Sequence, residues 1–284
     1  MSYLRKIRAC NDWDPDRFLP LRALGARIGS LRPGFAAELR RWPNRFRVLE
    51  DGVEWVDLPE SFQARSKFIE EVLGTLVEDG VIGYLHGEPY PLTAGRRDRA
   101  LCLIDRAAAP YFGARAFGQH LNGYVRTRGG IELWIGRRAA DRRIYPLHLD
   151  NLVAGGLPFG IPLMDNLLKE CREEADIPPE LAGQAVPVGA VSYCRESEHG
   201  LKPDLMYCYD LELPEDFQPR CTDGEVESFH RLPAAEVARL VRDTDEFKLN
   251  CNLVVIDFLV RHGLLSQDDP DYLTILQGLH SPLP

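Results

Sequence analysis

The sequence predicts an α/β protein in two units, one over residues 1–117 and a larger one over residues 118–284. Three observations carry this expectation. Apolar residues recur at helical spacing in some segments and alternate in others, so helices and strands share the chain. With 284 residues, 45% hydrophobic and 27% charged, the chain can bury a core of ordinary composition. The charge also breaks near the middle. Residues 1–117 hold 18 Lys+Arg against 16 Asp+Glu, and residues 118–284 hold 16 against 27. The first half therefore has cations to offer an anionic ligand, and the second is rich in groups that suit a metal or a solvated acidic surface.

The elements follow in order. Tyr3–Cys10 and Gly34–Arg41 read as short helices. Phe46–Leu49 and Val53–Val56 alternate around Asp51-Gly52, a hairpin signal. Phe62–Val77 carries Phe62, Phe68, Ile69, Val72, Leu73 and Leu76 at helical spacing. Ala100–Ile104 and Tyr111–Ala114 read as strands, and the boundary between units is expected within Ala107–Gln119. Beyond it, His120–Arg126 and Ile131–Arg137 read as strands paired across Gly129-Gly130. Asp150–Ala154 reads as a short strand, and Leu163–Ala175 as a helix that ends before Pro178-Pro179. Ala185–Cys194, Leu205–Leu213 and Val226–Leu232 are strand-like. Pro233–Val241 begins with proline where a helix starts. Leu249–His262 is apolar enough for a buried helix closed by Gly263, and a last helix follows Pro270.

Composition narrows the function. A net charge of −9 and a pI of about 5.4 argue against a nucleic-acid partner. No apolar run approaches roughly 18 residues, so no membrane span is expected. The first 20 residues are broken by charges and read as no signal peptide. Seven widely spaced cysteines without a CxxC pair fit reduced thiols and a cytoplasmic location.

The chemistry concentrates in residues 151–177, NLVAGGLPFGIPLMDNLLKECREEADI. A strand leads to Gly155-Gly156, a tight loop follows, and a helix then carries Glu170, Glu173 and Glu174. Spacings of three and four place these carboxylates on one helical face. Their mutual repulsion on an isolated helix is small, roughly 0.2–0.5 kcal/mol per pair, and a divalent cation would reverse it. Carboxylate oxygens suit Mg²⁺ or Mn²⁺, which polarises a phosphoryl oxygen and acidifies water. Lys169 and Arg172 lie among the glutamates, as on many solvated helices, so the cluster alone would be unremarkable. The double glycine at the right distance is what raises its weight.

This arrangement resembles the Nudix box, GX5EX7REUXEEXGU with U a bulky aliphatic residue. Gly155 falls on the first glycine, Lys169 to Glu174 on REUXEE, and Ile177 on the last U, without a gap. Ile161 stands in place of the first Glu, Lys169 in place of Arg, and Asp176 in place of Gly. The resemblance implies a Nudix α/β/α sandwich with a mixed sheet, preceded by a smaller α/β N-terminal domain. It implies metal ligation by Glu170, Glu173, Glu174 and the Gly155 carbonyl, and catalytic roles for Glu173 and Glu174. VAGGLPFGI, KECREEADIP, VSYCRE, DLMYCYDLELPEDFQP and DGEVESFHRLP are further similar to one Nudix branch. It includes plant proteins and the Nudix part of fungal fusions with thiamine pyrophosphokinase, and the likeness is strongest from Ala107 to Leu265. That likeness implies hydrolysis of thiamine diphosphate, or of oxidised analogues, to the monophosphate. The alternatives are a nucleoside-diphosphate-derivative hydrolase acting on a substrate such as ADP-ribose, and a non-catalytic ligand-binding domain, which Ile161 favours.

Other residues are weighed beside these. Glu225, next to Gly224 in DGEVESF, is the candidate auxiliary ligand or base, against an ordinary exposed turn. Glu196 and Glu198 read as solvated charges, and His120, His148 and His230 as structural or surface residues without ligand spacing. Cys171 reads as a packed thiol. Arg96, Arg97 and Arg99 could grip a diphosphate, although such runs are more often solvated loops. Trp13, Trp42, Trp55 and Trp134 could stack on a ring, and nothing in the sequence selects one. The expected partner is a small diphosphate substrate, with the oligomeric state left open and a homodimer as one option.

Overall fold

A computed structural model describes residues 2–284, and its elements largely follow the sequence pattern. In the first unit, β1 (Leu19–Ala23), β2 (Ala26–Leu31), β3 (Phe46–Val48) and β4 (Val53–Trp55) form a sheet in the order β2-β1-β4-β3. The strands β5 (Pro89–Leu92) and β6 (Cys102–Asp105) pair separately. The helix α1 (Tyr3–Cys10) opens the chain, α2 (Pro33–Glu38) follows β2, and α3 (Phe62–Glu78) follows β4. Ser61 caps α3 by accepting from the Ala64 N–H at 3.0 Å. Ile69, Val72, Leu73 and Leu76 then face a core shared with Leu21, Phe46, Trp55 and Leu92.

Residues 109–112 form the short helix α4 (Ala109–Phe112), not the strand that Tyr111–Ala114 suggests. Pro110 lies in its first turn, and Gly113 ends it at φ 52°. The helix is wedged between the two sheets. A Cβ on Gly29 would stand 2.3 Å from the Phe112 carbonyl oxygen, and one on Gly200 2.2 Å from that of Pro110. Backbone approach of this kind needs glycine on both sides, and it locks the two units together.

The larger sheet contains β7 (Ala116–Thr127), β8 (Gly130–Arg138), β9 (Leu149–Asp150), β10 (Val153–Gly156), β11 (Val186–Ser197), β12 (Gly200–Glu212) and β13 (Val226–Pro233). Its main path is β11-β12-β7-β8-β13, with β10 on β7 and β9 on β8. Only β12 and β7 run parallel within it, so the sheet is mixed. On one face lie α5 (Leu163–Ala175) and α6 (Pro179–Ala182), burying Leu167, Cys171 and Ala175 against Leu121, Val153 and Leu211. Each fully buried leucine contributes about 1.5–3 kcal/mol.

The other face carries α7 (Ala234–Asp243), α8 (Cys251–Arg261) and α9 (Tyr272–Leu279). The architecture is thus an α/β/α sandwich with a smaller α/β unit attached. The helix α1 does not pack on the first unit. Its Tyr3, Leu4, Ile7 and Cys10 enter the core of α7, α8 and α9. No helix among the described residues is long and apolar enough to cross a membrane.

Candidate active site

The strand β10 delivers Gly155 beside α5. A Cβ on Gly155 would stand 2.5 Å from Glu170 Cδ, so glycine is what lets the carboxylate lie against the strand. The loop from Leu157 to Pro162 is held from several sides. Leu157 N–H donates to the Phe117 carbonyl at 3.0 Å. Asn166 Nδ2 donates to the Gly156 carbonyl at 3.0 Å and to Gln119 Oε1 at 2.8 Å. Gln119 Nε2 in turn donates to the Leu163 carbonyl at 2.8 Å. The helix stops where Asp176 takes φ 52°, with its N–H on the Arg172 carbonyl and the Ile177 N–H on that of Cys171. That left-handed turn explains why the motif prefers glycine at this place and tolerates the aspartate, which Arg172 pairs with.

The three helix glutamates differ in environment. Glu174 is buried and accepts the Ala154 N–H at 2.8 Å. Burial pushes its carboxyl up to about 8 against that hydrogen bond, with the charges of Asp150, Glu170 and Glu225 adding to the rise. Glu170, its side chain 14% exposed, is raised by burial and by Glu173 and Glu225, while Lys169 opposes the rise. Lys169 Nζ lies 3.3 Å from Glu170 and 2.8 Å from Glu173. The lysine that replaces the motif's arginine therefore rests on two of the three carboxylates.

Glu225 lies at the start of β13 and pairs with Arg142 at 2.8 Å. Its charge is felt at both Glu170 and Glu174. Glu170, Glu174 and Glu225 thus lie within electrostatic reach of one another, although among the described residues no three of the glutamates bring ligand oxygens within 4.8 Å of each other, and the buried Glu174 has only a neutral backbone partner. That donor set fits a divalent cation such as Mg²⁺ or Mn²⁺.

The first unit brings further side chains to this loop; the sequence singled out Arg97 as a grip for a diphosphate and did not point to Phe62, Tyr90 or Arg106 in the site. Arg97 donates to the carbonyls of Pro158 at 3.0 Å and Ile161 at 2.8 Å, so it grips the loop. Arg96 instead pairs with Asp98. Phe62 packs on Phe159 with ring centres 5.5 Å apart, and Phe159 N–H donates to the Pro89 carbonyl. Tyr90 and Arg106 lie against Gly156. An alternating pair such as Pro89–Leu92 carries no mark of a neighbour some 65 residues on, which is why the sequence does not point there.

The remaining candidates fall elsewhere. Glu196 joins the units through Arg17 at 2.9 Å and Arg32 at 3.5 Å, and Glu198 is exposed. Cys171 is buried and its thiol is pushed up to about 12. Trp55 and Trp134 are core residues. His148 and His230 make local hydrogen bonds.

His120 is buried with Asp150 and Cys251, their ligand atoms all within 4.8 Å. Lys248 at 3.0 Å and Arg138 at 3.1 Å already neutralise Asp150, and the Cys251 thiol donates to it at 2.6 Å. Burial pushes His120 down to about 4. The group is an ion-pair knot tying β9 to the start of α8.

Residues 2–116 match a family described as a domain of unknown function, DUF4743. The chain is 39% identical over 291 residues to Nudix hydrolase 20, chloroplastic, of Arabidopsis thaliana, covering 99% of this chain and 78% of that protein. It is 41% identical over 287 residues to Nudix hydrolase 24, chloroplastic, of the same plant, with the same coverage. Among solved structures, a Caenorhabditis elegans Ap4A hydrolase complex is similar at 16% identity and a TM-score of 0.39, covering 53% of this chain and 99% of that one.

The plant relatives overturn the cytoplasmic expectation, since both are named as chloroplastic. All seven cysteines are indeed free, but reduced thiols report a redox state and not an address. Sharing about two-fifths of its residues with two Nudix hydrolases across nearly its whole length, the chain belongs to the Nudix hydrolase family of pyrophosphohydrolases.

Proposed function

We propose that the chain is a metal-dependent diphosphatase that cleaves thiamine diphosphate, or oxidised analogues of it, to the monophosphate. The observation that carries the metal-dependent part is the pair Glu170 and Glu174 lying against β10 at Gly155 and Ala154, with Glu174 buried and lacking a cationic partner. The substrate rests on the likeness of residues 107–265 to the thiamine-associated Nudix branch. In this reading, residues 118–284 carry the chemistry and residues 1–117 lean over it.

Glu170, Glu173, Glu174 and the Gly155 carbonyl would hold the divalent cation. Bound there, it supplies Lewis acidity at a phosphoryl oxygen. The protein does the rest. In the metal-free chain burial holds the Glu174 carboxyl up at about 8, so it gives up its proton near neutral pH when a cation binds there. Glu225 stands at the rim as the auxiliary ligand or base, with Arg142 fixing its carboxylate. Arg97 and Asn166 hold the loop between β10 and α5 in place beside these carboxylates.

The test is chromatographic detection of the monophosphate products formed with Mg²⁺ from thiamine diphosphate, its oxidised analogues and ADP-ribose side by side. Turnover of the thiamine compounds that disappears with EDTA and in Glu174→Gln supports the reading. Turnover of ADP-ribose alone would reassign the substrate, and full activity in Glu174→Gln would remove the metal role.

A further inference from the structure

We propose that Arg106, supplied by the first unit, is a ligand for the substrate's phosphate oxygens in the active site of the second; this rests on the diphosphatase reading above. The geometry begins at Gly156. A Cβ there would stand 2.4 Å from Tyr90 Oη and 3.3 Å from Arg106 Nη1. One residue earlier, Gly155 touches Glu170. The two glycines therefore bring an arginine of one unit and the carboxylate helix of the other to opposite sides of a single strand end.

The guanidinium is neither solvent-waving nor fully spent. Its side chain is 41% exposed, and Nη1 pairs with both oxygens of Glu88, at 3.1 and 3.0 Å. Among the described residues, Nε and Nη2 have no hydrogen-bond partner. Those N–H groups form the edge that matches two non-bridging phosphate oxygens. The ring of Tyr90 lies 5.9 Å from the guanidinium carbon and limits its swing.

Electrostatics favour the same role. A diphosphate entering among Glu170, Glu173, Glu174 and Glu225 meets strong repulsion, and one divalent cation cannot offset all of it. The neighbouring cations are committed. Lys169 rests on Glu170 and Glu173, Arg142 on Glu225, and Arg97 on two loop carbonyls. Arg106 feels the Glu225 charge and Tyr90 feels that of Glu170, so both lie within electrostatic reach of the acidic cluster around the strand end. A phosphate arriving beside Arg106 competes with Glu88 for the guanidinium.

Titration calorimetry on the full chain tests this, with inorganic pyrophosphate as probe at saturating Mg²⁺ and Mg²⁺ alone as the control. Arg106→Gln is expected to weaken pyrophosphate binding by roughly 10- to 100-fold, the range for a lost charge-assisted contact. Mg²⁺ binding and the melting temperature should stay at wild-type values. Arg106→Lys, which keeps charge but loses the fork, should fall between, and it replaces the glutamine variant if that one misfolds. Glu88→Gln frees the guanidinium and should tighten binding severalfold. Pyrophosphate affinity within twofold of wild type in Arg106→Gln overturns the proposal, and so does a parallel loss of Mg²⁺ binding. Arg106-dependent pyrophosphate binding in a protein that hydrolyses none of the thiamine compounds would sink the substrate assignment and leave this inference standing.

Discussion

Replacing Glu174 with glutamine should stabilise the metal-free protein at alkaline pH and leave it unchanged in acid. Glu174 sits in the core with one backbone N–H as its partner, and its carboxyl is pushed from an ordinary 4.5 to about 8. The sign follows from linkage. Below pH 4.5 the group is protonated in both folded and unfolded chains and costs nothing. Between 4.5 and about 8 the unfolded chain releases the proton and the folded one keeps it, so stability falls as pH rises. At about 1.4 kcal/mol per pH unit, the gap is on the order of 5 kcal/mol by pH 8. Glutamine keeps the shape and an acceptor for the Ala154 N–H but never ionises.

Urea denaturation in EDTA at pH 5 and pH 8.5 reads the difference directly. The two proteins should differ by less than about 1 kcal/mol at pH 5, and Glu174→Gln should have a much higher midpoint at pH 8.5. Adding Mg²⁺ at 100 times its Kd should restore about 2.7 kcal/mol to the wild type and far less to the variant. A gap between the proteins that is the same at both pH values would refute the reasoning, as would equal rescue of both by Mg²⁺.

Other expectations follow from the same geometry. Gly155→Ala places a methyl 2.5 Å from Glu170 Cδ, so the Mg²⁺ needed for half-maximal turnover should rise roughly tenfold, on the order of one charge-assisted contact; an unchanged Mg²⁺ titration would mean that Glu170 holds no metal. Lys169→Met removes an ammonium from two carboxylates. It should tighten Mg²⁺ binding by roughly fivefold, from about 1 kcal/mol of lost repulsion, and weaker binding by calorimetry would contradict this. Asp150→Asn leaves the part-buried Lys248 and Arg138 without their counter-charge and should cost about 3 kcal/mol in urea unfolding. Burial acts to raise the Asp150 carboxyl, but Lys248, His120 and Arg138 outweigh it and hold it at about 2. Its stabilisation is therefore present above about pH 4 and lost as pH falls toward 2. A wild-type protein equally stable to urea at pH 4 and at pH 2.5 would count against that.

Local pattern carried most of the elements. The helix Leu163–Ala175 was readable residue for residue, because its apolar spacing and the prolines on either side mark both ends. The pair β7–β8 was readable because Gly129-Gly130 divides two apolar runs. The hairpin β1–β2 was not. Its turn is made by Leu24 and Gly25, both at positive φ, and leucine gives no warning of a left-handed conformation. Residues 109–112 failed for a related reason: an aromatic pair scores as strand, yet Pro110 and Gly113 frame a single helical turn. In the candidate site, the motif gave the residues of α5 because their chemistry lies within 23 consecutive positions. Arg97, Arg106 and Tyr90 were illegible as partners, since only the folded chain brings the first unit over Gly156.

The packing of α1 against α7, α8 and α9 joins segments far apart in the sequence. During synthesis, α1 has no binding surface until α7, α8 and α9 are available. Its Tyr3, Leu4 and Ile7 stay uncovered for the whole interval, a hazard for premature association. Contacts this distant in sequence slow folding. They also mean that disrupting α1 would unseat α7, α8 and α9, while the glutamate helix, packed on the opposite face of the sheet, would feel the loss only through the strands between them.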